Sequence, residues 1–146
     1  MNLFYAYASS IQSLITGTGL LGKPSTLAFA LSNGPTTNVT CTEIPDSGGY
    51  YRPVLAPNSA GVPFSGINAN WSFPTVVSGY TYNNVQINFP QCVTQGWGNI
   101  SGIFVCDNQG YGSGNVLFYG QLPIMKDIEP LDQLYIPISG VQLRFW

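Results

Sequence analysis

Residues 84–121 decide the fold, and they read NVQINFPQCVTQGWGNISGIFVCDNQGYGSGNVLFYGQ. At the start of this stretch Val85, Ile87 and Phe89 alternate with polar residues. A period of two is the pattern of a strand with one buried face and one solvent-exposed face. Pro90 lacks a backbone N–H donor, so we expect the ladder of this strand to end there.

Two more strands follow within the same stretch. Residues 101–106 and 116–120 are apolar runs, which is typical of mostly buried strands. The Gly-Trp-Gly-Asn turn at 96–99 precedes the first run, and a glycine-rich loop at 107–115 joins the two runs. Neighbouring strands joined by short turns predict an antiparallel meander in the middle of a β-sandwich. The glycines predict that the loop is mobile, with Tyr111 at its crest.

The remainder of the chain adds one predicted helix and several strands. The helix is predicted at residues 2–17, because apolar side chains recur there at three- and four-residue spacing. Further strands are predicted at residues 26–32, 50–55, 67–73, 133–138 and 141–146, and residues 76–82 are either an edge strand or a connection. Residues 122–132 are rich in proline and charge and predict an exposed connection. The predicted fold is all-β: one domain over residues 1–146, an antiparallel, jelly-roll-like β-sandwich with one N-terminal α-helix.

The composition points to a surface that other molecules cover. Charged residues make up 7% of the 146 residues, against about 25% in an ordinary soluble domain. The surface therefore has to be built from neutral polar residues, and a chain with net charge −2 is prone to associate. We interpret this as the surface of a subunit in a permanent assembly. The alternative is an extracellular β-module, in which a neutral surface is also common.

Chemistry-bearing residues are sparse. The chain has no histidine, its six acids lie in turns or proline-flanked segments, and no lysine or carboxylate stands where it would activate a serine or cysteine nucleophile. The turns that follow Asp46 and Asp107 offer oxygens to calcium, but turn chemistry explains them as well. We expect no catalytic residue, no cofactor and no metal site. Cys106 lies in an apolar run, so we expect it to be a small buried side chain.

Two classes of partner are not expected either. The four basic residues are scattered along the chain, which argues against a nucleic-acid-binding face. No apolar run reaches 18 residues, so we expect no membrane span.

Aromatic residues are the best candidates for contacts with other molecules. We single out Tyr5, Trp97, Tyr111 and Trp146 as interface or receptor contacts. Trp97 and Tyr111 lie on predicted loops, where their rings could stack on the faces of host sugars. The alternative, which we favour, is that the aromatic residues form the core and the subunit interface.

The order of the segments along the chain is also informative. The predicted helix is followed by LAFALS at 27–32, GYYR at 49–52, VQINFP at 85–90, WG at 97–98, ISGIF at 100–104, NVLFYGQL at 115–122 and LDQ at 131–133. In this order they resemble the small tail-fibre or minor-tail structural proteins of tailed bacteriophages. The resemblance covers most of the chain.

This resemblance implies a non-enzymatic protein built into the virion. Its partners would be other virion proteins and copies of itself, at the tail, neck or fibre base, after synthesis in the host cytoplasm. Two other functions remain open at this point: a capsid cement or decoration protein, and a β-module that binds a host-surface glycan or receptor.

Overall fold

The computed structural model describes residues 2–3, 26–34, 41–55 and 80–144. Within these residues the chain forms strands that pair antiparallel, and it forms no helix. The strands are β1 (Asn2–Leu3), β2 (Ala28–Ser32), β3 (Tyr80–Tyr82), β4 (Ile87–Gln91), β5 (Gly98–Cys106), β6 (Val116–Ile128), β7 (Gln133–Ile136) and β8 (Gln142–Arg144). The prediction of an all-β chain with antiparallel pairing is confirmed for these residues.

The β5–β6 hairpin forms the centre of a four-stranded sheet whose order is β1-β6-β5-β2. Phe104 of β5 lies opposite Tyr119 of β6, and Ala30 of β2 lies opposite Phe104 on the other side of β5. The remaining described strands form two pairs, β3 with β8 and β4 with β7.

Apolar side chains cover both faces of this central sheet. Along β5, Ile103 and Val105 pack into the main core, whereas Phe104 and Cys106 pack into a smaller cluster on the opposite face. Cys106 is therefore a small buried side chain, as predicted. Burial on both faces explains why this strand is a continuous apolar run rather than an alternating one.

The free edge of β2 is covered by two short segments. Glu43 bridges to Ser32 at one end of β2, and Val54 bridges to Ala28 at the other. The backbone N–H of Phe29 donates to the carbonyl oxygen of Pro53 at 2.9 Å. The strand predicted at residues 50–55 is therefore reduced to an isolated bridge, because Pro53 supplies an acceptor but has no N–H to continue a ladder. The segments that contain Glu43 and Val54 therefore both run beside β2.

Two predictions about the middle of the chain are wrong. The strand predicted before Pro90 does not join the meander: β4 pairs with β7 in a separate sheet, and its pairing is irregular between Asn88 and Gln91. The connection predicted at residues 122–132 is instead a continuation of β6 as far as Ile128. Most side chains of that continuation are exposed, so its composition resembles that of a loop.

The other predicted elements have mixed outcomes. The strand predicted at 26–32 is confirmed as β2, and those at 133–138 and 141–146 are confirmed in part as β7 and β8. Residues 80–82 form an edge pair with β8. The first two residues of the predicted helix form β1, which pairs with β6, and its other residues lie outside the described part of the chain. The strand predicted at 67–73 also lies outside it.

Candidate contact site

The glycine-rich loop at residues 107–115 closes one end of the β5–β6 hairpin, and its base is clamped by two residues. The carboxylate of Asp107 accepts hydrogen bonds from the backbone N–H of Asn115 at 2.6 Å and from its side-chain amide at 2.9 Å. The backbone N–H of Asp107 donates to the carbonyl oxygen of Asn115 at 3.2 Å. Aspartate and asparagine at these two positions therefore fix where the loop leaves and re-enters the sheet.

A second set of hydrogen bonds closes the crest of the loop. Oδ1 of Asn108 accepts from the backbone N–H of Gly110 at 2.7 Å. The hydroxyl of Ser113 donates to the carbonyl oxygen of Gly110 at 2.7 Å, and the backbone N–H of Ser113 donates to the same oxygen at 3.1 Å. The sequence predicted a mobile loop, but the structure shows a loop held at its base and at its crest.

Two glycines of this loop have left-handed backbone conformations, but their surroundings differ. At Gly114, with φ +84°, a Cβ atom would lie 2.6 Å from Cβ of Asn108 and 2.7 Å from Oδ1 of Asp107. At Gly112, with φ +63°, a Cβ atom would have open space around it. Gly114 is therefore required by both backbone conformation and close packing, and Gly112 by backbone conformation alone.

Arg52 holds the loop through hydrogen bonds to its backbone. Its Nη1 donates to the carbonyl oxygens of Asn108 and Ser113, each at 2.8 Å. The side-chain amide of Gln109 donates to the carbonyl oxygen of Arg52 at 3.2 Å. One guanidinium therefore holds both sides of the crest, from a segment more than fifty residues earlier in the chain.

Glu43 neutralises Arg52 in a two-point ion pair. Nε of Arg52 donates to Oε1 of Glu43 at 2.7 Å, and Nη2 donates to Oε2 at 2.6 Å. The side chains of Arg52 and Glu43 are only 3% and 8% exposed. Oε2 also accepts from the backbone N–H of Gly112 at 3.2 Å, so the carboxylate contacts the loop directly. Fork-to-carboxylate geometry with further hydrogen bonds is what a buried ion pair needs to offset the loss of water.

Tyr50 joins the ion pair to the core. Its hydroxyl donates to Oε1 of Glu43 at 2.9 Å and accepts from the backbone N–H of Leu31 at 3.1 Å. Burial raises the pKa of the Tyr50 hydroxyl well above its usual range. Burial lowers the pKa of the Arg52 guanidinium, but the hydrogen bonds to Glu43 and the neighbouring charges together raise it above its ordinary value. Tyr50 is therefore held neutral and Arg52 charged.

The four predicted contact residues have different positions. Tyr111 is 47% exposed in the crest turn. Trp97 is only 5% exposed: its ring packs edge-on against Tyr50 with centroids 5.5 Å apart, and its indole N–H donates to the carbonyl oxygen of Gly48 at 3.3 Å. This is the position that the aromatic-core alternative predicted, and it leaves little of the ring to contact a partner. Tyr5 and Trp146 lie outside the described residues.

Glu43 and Arg52 were not singled out from the sequence. They are nine positions apart in the chain. One signal was present: Arg52 follows two tyrosines and precedes Pro53 and Val54 in a chain that has only four basic residues. An arginine in apolar surroundings needs a buried partner. The sequence did not say which of the six acids that partner is.

Two of the six acids accept hydrogen bonds within turns. Oδ2 of Asp132 accepts from the backbone N–H of Glu129 at 3.1 Å, and both oxygens of Asp107 accept from Asn115. In the part of the chain that the structure describes, no group of three or more acidic, histidine or cysteine side chains is placed to hold a metal. The same residues contain no helix that is long and apolar enough to cross a membrane.

A second exposed region lies towards the other end of the hairpin. Ile100 of β5 pairs with Lys126 of β6, but the next pair is Gly102 with Gln121, so residues 122–125 bulge out opposite a single residue of β5. Ile124 in this bulge is 70% exposed. Between the bulge and residues 134–142 lies a cleft of about 690 Å³. Apolar side chains line most of the cleft: Ile103, Leu122, Pro123, Ile124, Leu134, Ile136, Pro137 and Val141.

These features are those of a protein that makes contacts with other molecules. Its antiparallel sheets carry one hydrogen-bonded loop with an exposed tyrosine and one exposed apolar region.

The comparison with known families identifies the chain more closely. The family model described as podophage GP4 fiber I protein gp80 matches residues 5–144, so the chain belongs to this family of phage fibre structural proteins. The resemblance to phage tail-fibre proteins seen in the sequence is thus confirmed, and the chain is a virion component. No curated protein matches the chain.

Proposed function

We propose that the chain is a non-enzymatic, multi-copy structural subunit of the fibre of a tailed phage. It sits on the tail or at the fibre base and is joined there to other virion proteins and to copies of itself. The observation that carries this proposal is the family match over residues 5–144. Several large apolar side chains that stand exposed in the described region give support, because such side chains in a charge-poor chain favour burial between subunits.

The whole chain is proposed to fold as one domain, a β-sandwich whose predicted N-terminal helix follows β1, within residues 4–17. The apolar clusters on both faces of the central sheet support layers of structure on each side. Cys41, Cys92 and Cys106 are free thiols, which suits synthesis in the reducing host cytoplasm.

The test is to locate and count the chain in the intact particle. Electron-microscopy density of the whole virion should contain several copies of this fold at the tail or the fibre. Copies placed over the capsid lattice would favour the cement or decoration alternative. Absence of the fold from the particle would contradict both.

A second candidate function is contact with a host-surface glycan or receptor through Tyr111. The supporting observation is that this exposed ring stands on a loop whose backbone is already ordered, so little conformational entropy would be lost on binding. Tyr111→Ala should then reduce adsorption of otherwise intact particles to host cells. The matched control is Tyr51→Ala, which removes another exposed tyrosine outside the loop. Equal adsorption by both variants and the parent would count against this function.

A further inference from the structure

Leu131 has a backbone conformation that a leucine does not normally have, and its side chain is exposed. Its φ is +75°, in the left-handed region that favours glycine and asparagine, and its side chain is 72% exposed. A bulky residue at such a position costs stability, and its exposure returns no burial within the chain. Strain of this kind, held by the surrounding structure, points to a role outside the chain's own folding.

The turn that carries Leu131 is held rigidly. The backbone N–H of Leu131 donates to the carbonyl oxygen of Cys92 at 2.7 Å, and the side-chain amide of Gln91 donates to the carbonyl oxygen of Leu131 at 2.8 Å. The backbone N–H of Cys92 donates to the carbonyl oxygen of Asp132 at 2.9 Å. Residues 129–132, which we name the Leu131 knob, therefore present a fixed apolar side chain flanked by Glu129 and Asp132.

The cleft beside the β6 bulge has the complementary character. Its walls are mostly apolar, and the ammonium-bearing side chain of Lys126 is part of its lining. Its volume of about 690 Å³ exceeds that of one leucine side chain. Leu131 itself does not line the cleft, so the knob and the cleft are separate surfaces of the same chain.

We infer that the Leu131 knob of one copy of this chain inserts into the cleft of the next copy. An apolar group flanked by acids meets an apolar cleft that contains a lysine, so the two surfaces match in both polarity and charge. The contact is heterologous, and repeated copies would form a ring if the rotation closes or a filament if it does not. The inference rests on the proposed presence of several copies in the fibre.

The first test separates assembly from folding. Leu131→Asn removes the apolar side chain but keeps a residue that accepts the left-handed conformation, so the melting temperature of the fold should be unchanged or raised. The dissociation constant between copies, measured by sedimentation of the purified full chain over a range of concentrations, should rise about tenfold or more. Val85→Thr, at another exposed apolar residue, should leave it unchanged.

The second test uses the charges. Lys126→Glu and Glu129→Lys should each weaken assembly, because each creates like charges across the contact. Combining both changes in one chain should restore assembly, and so should mixing the two single variants, since the charges are then opposite at every contact.

Three outcomes would overturn the inference. They are a parent chain that stays monomeric at all concentrations, an oligomer that Leu131→Asn does not weaken, and charge variants that do not rescue each other. A monomeric parent would mean that another segment of the chain or a different virion protein occupies the cleft. The copy number in the particle tests the proposed function separately: several copies without the Leu131 contact would overturn only this inference, whereas a single copy would overturn both.

Discussion

The two ends of the β5–β6 hairpin differ in how their exposed surfaces are stabilised. At the loop end, polar groups satisfy one another: a buried ion pair and a set of hydrogen bonds hold a polar turn with a single exposed aromatic ring. At the bulge end, the register of the sheet breaks and apolar side chains face outward. The first end stabilises itself within the chain, whereas the second leaves apolar surface that only another surface can cover. A subunit of an assembly needs both kinds of region.

The largest expected effect on this comparison comes from removing the Arg52 cation that holds the loop. Arg52→Met should lower the free energy of unfolding by about 3–5 kcal/mol, because the buried carboxylate of Glu43 is left uncompensated. Denaturant unfolding measures this change. Lys126→Met is the matched control at an exposed cation and should change stability little. A loss below 1 kcal/mol for Arg52→Met would show that the ion pair is not buried as described.

The glycine pair tests whether packing or backbone conformation governs the loop. Gly112→Ala should cost about 1–2 kcal/mol, the price of a left-handed alanine. Gly114→Ala should cost about 1–3 kcal/mol more, since its Cβ would also overlap Asn108 and Asp107. Thermal unfolding of the two variants side by side gives the difference directly. Equal losses would contradict the close packing at Gly114.

Tyr50→Phe should have a smaller effect at the same end of the molecule. It leaves the backbone N–H of Leu31 without its hydroxyl acceptor and removes one donor to Glu43, while the ring contact with Trp97 is kept. We expect a loss of about 1–3 kcal/mol in denaturant unfolding. Tyr51→Phe, at an exposed neighbour, provides the comparison and should be near neutral. Similar values for the two variants would argue against the buried hydroxyl contacts.

The smallest effect at neutral pH concerns the buried thiol of Cys106. Burial raises its pKa from an ordinary 9.0 to about 11, so the folded chain holds this proton more tightly than the unfolded chain does. The contribution of this protonated thiol to stability is therefore fully present below pH 9 and is lost as the pH rises towards about 11. Unfolding measured across this window should show the decline, and Cys106→Ala should make it shallower. An identical slope in the variant would remove Cys106 as a cause.

The sequence predicted what depends on local pattern. Alternation and apolar runs predicted antiparallel strands, and the segment order predicted the phage-fibre family. It did not predict partners distant in the chain, such as β4 with β7 or Arg52 with the loop, because no local pattern specifies them. Residues 122–128 were misassigned since an exposed, bulged strand has the composition of a loop. Trp97 does lie on a loop, just before β5, but its ring packs against Tyr50 in the core instead of being exposed.

The bulge in β6 also allows the exposed surface of the subunit to change without a change in the pairing of the sheet. The ladder is in register on both sides of residues 122–125, with Gly102 opposite Gln121 before them and Ile100 opposite Lys126 after them. A change in chain length at this point would leave both flanking sets of pairs in place. Insertions and deletions there would thus alter how a subunit meets its neighbours while sparing the sheet, which makes this site a place where fibre geometry could diverge between related phages without refolding the protein.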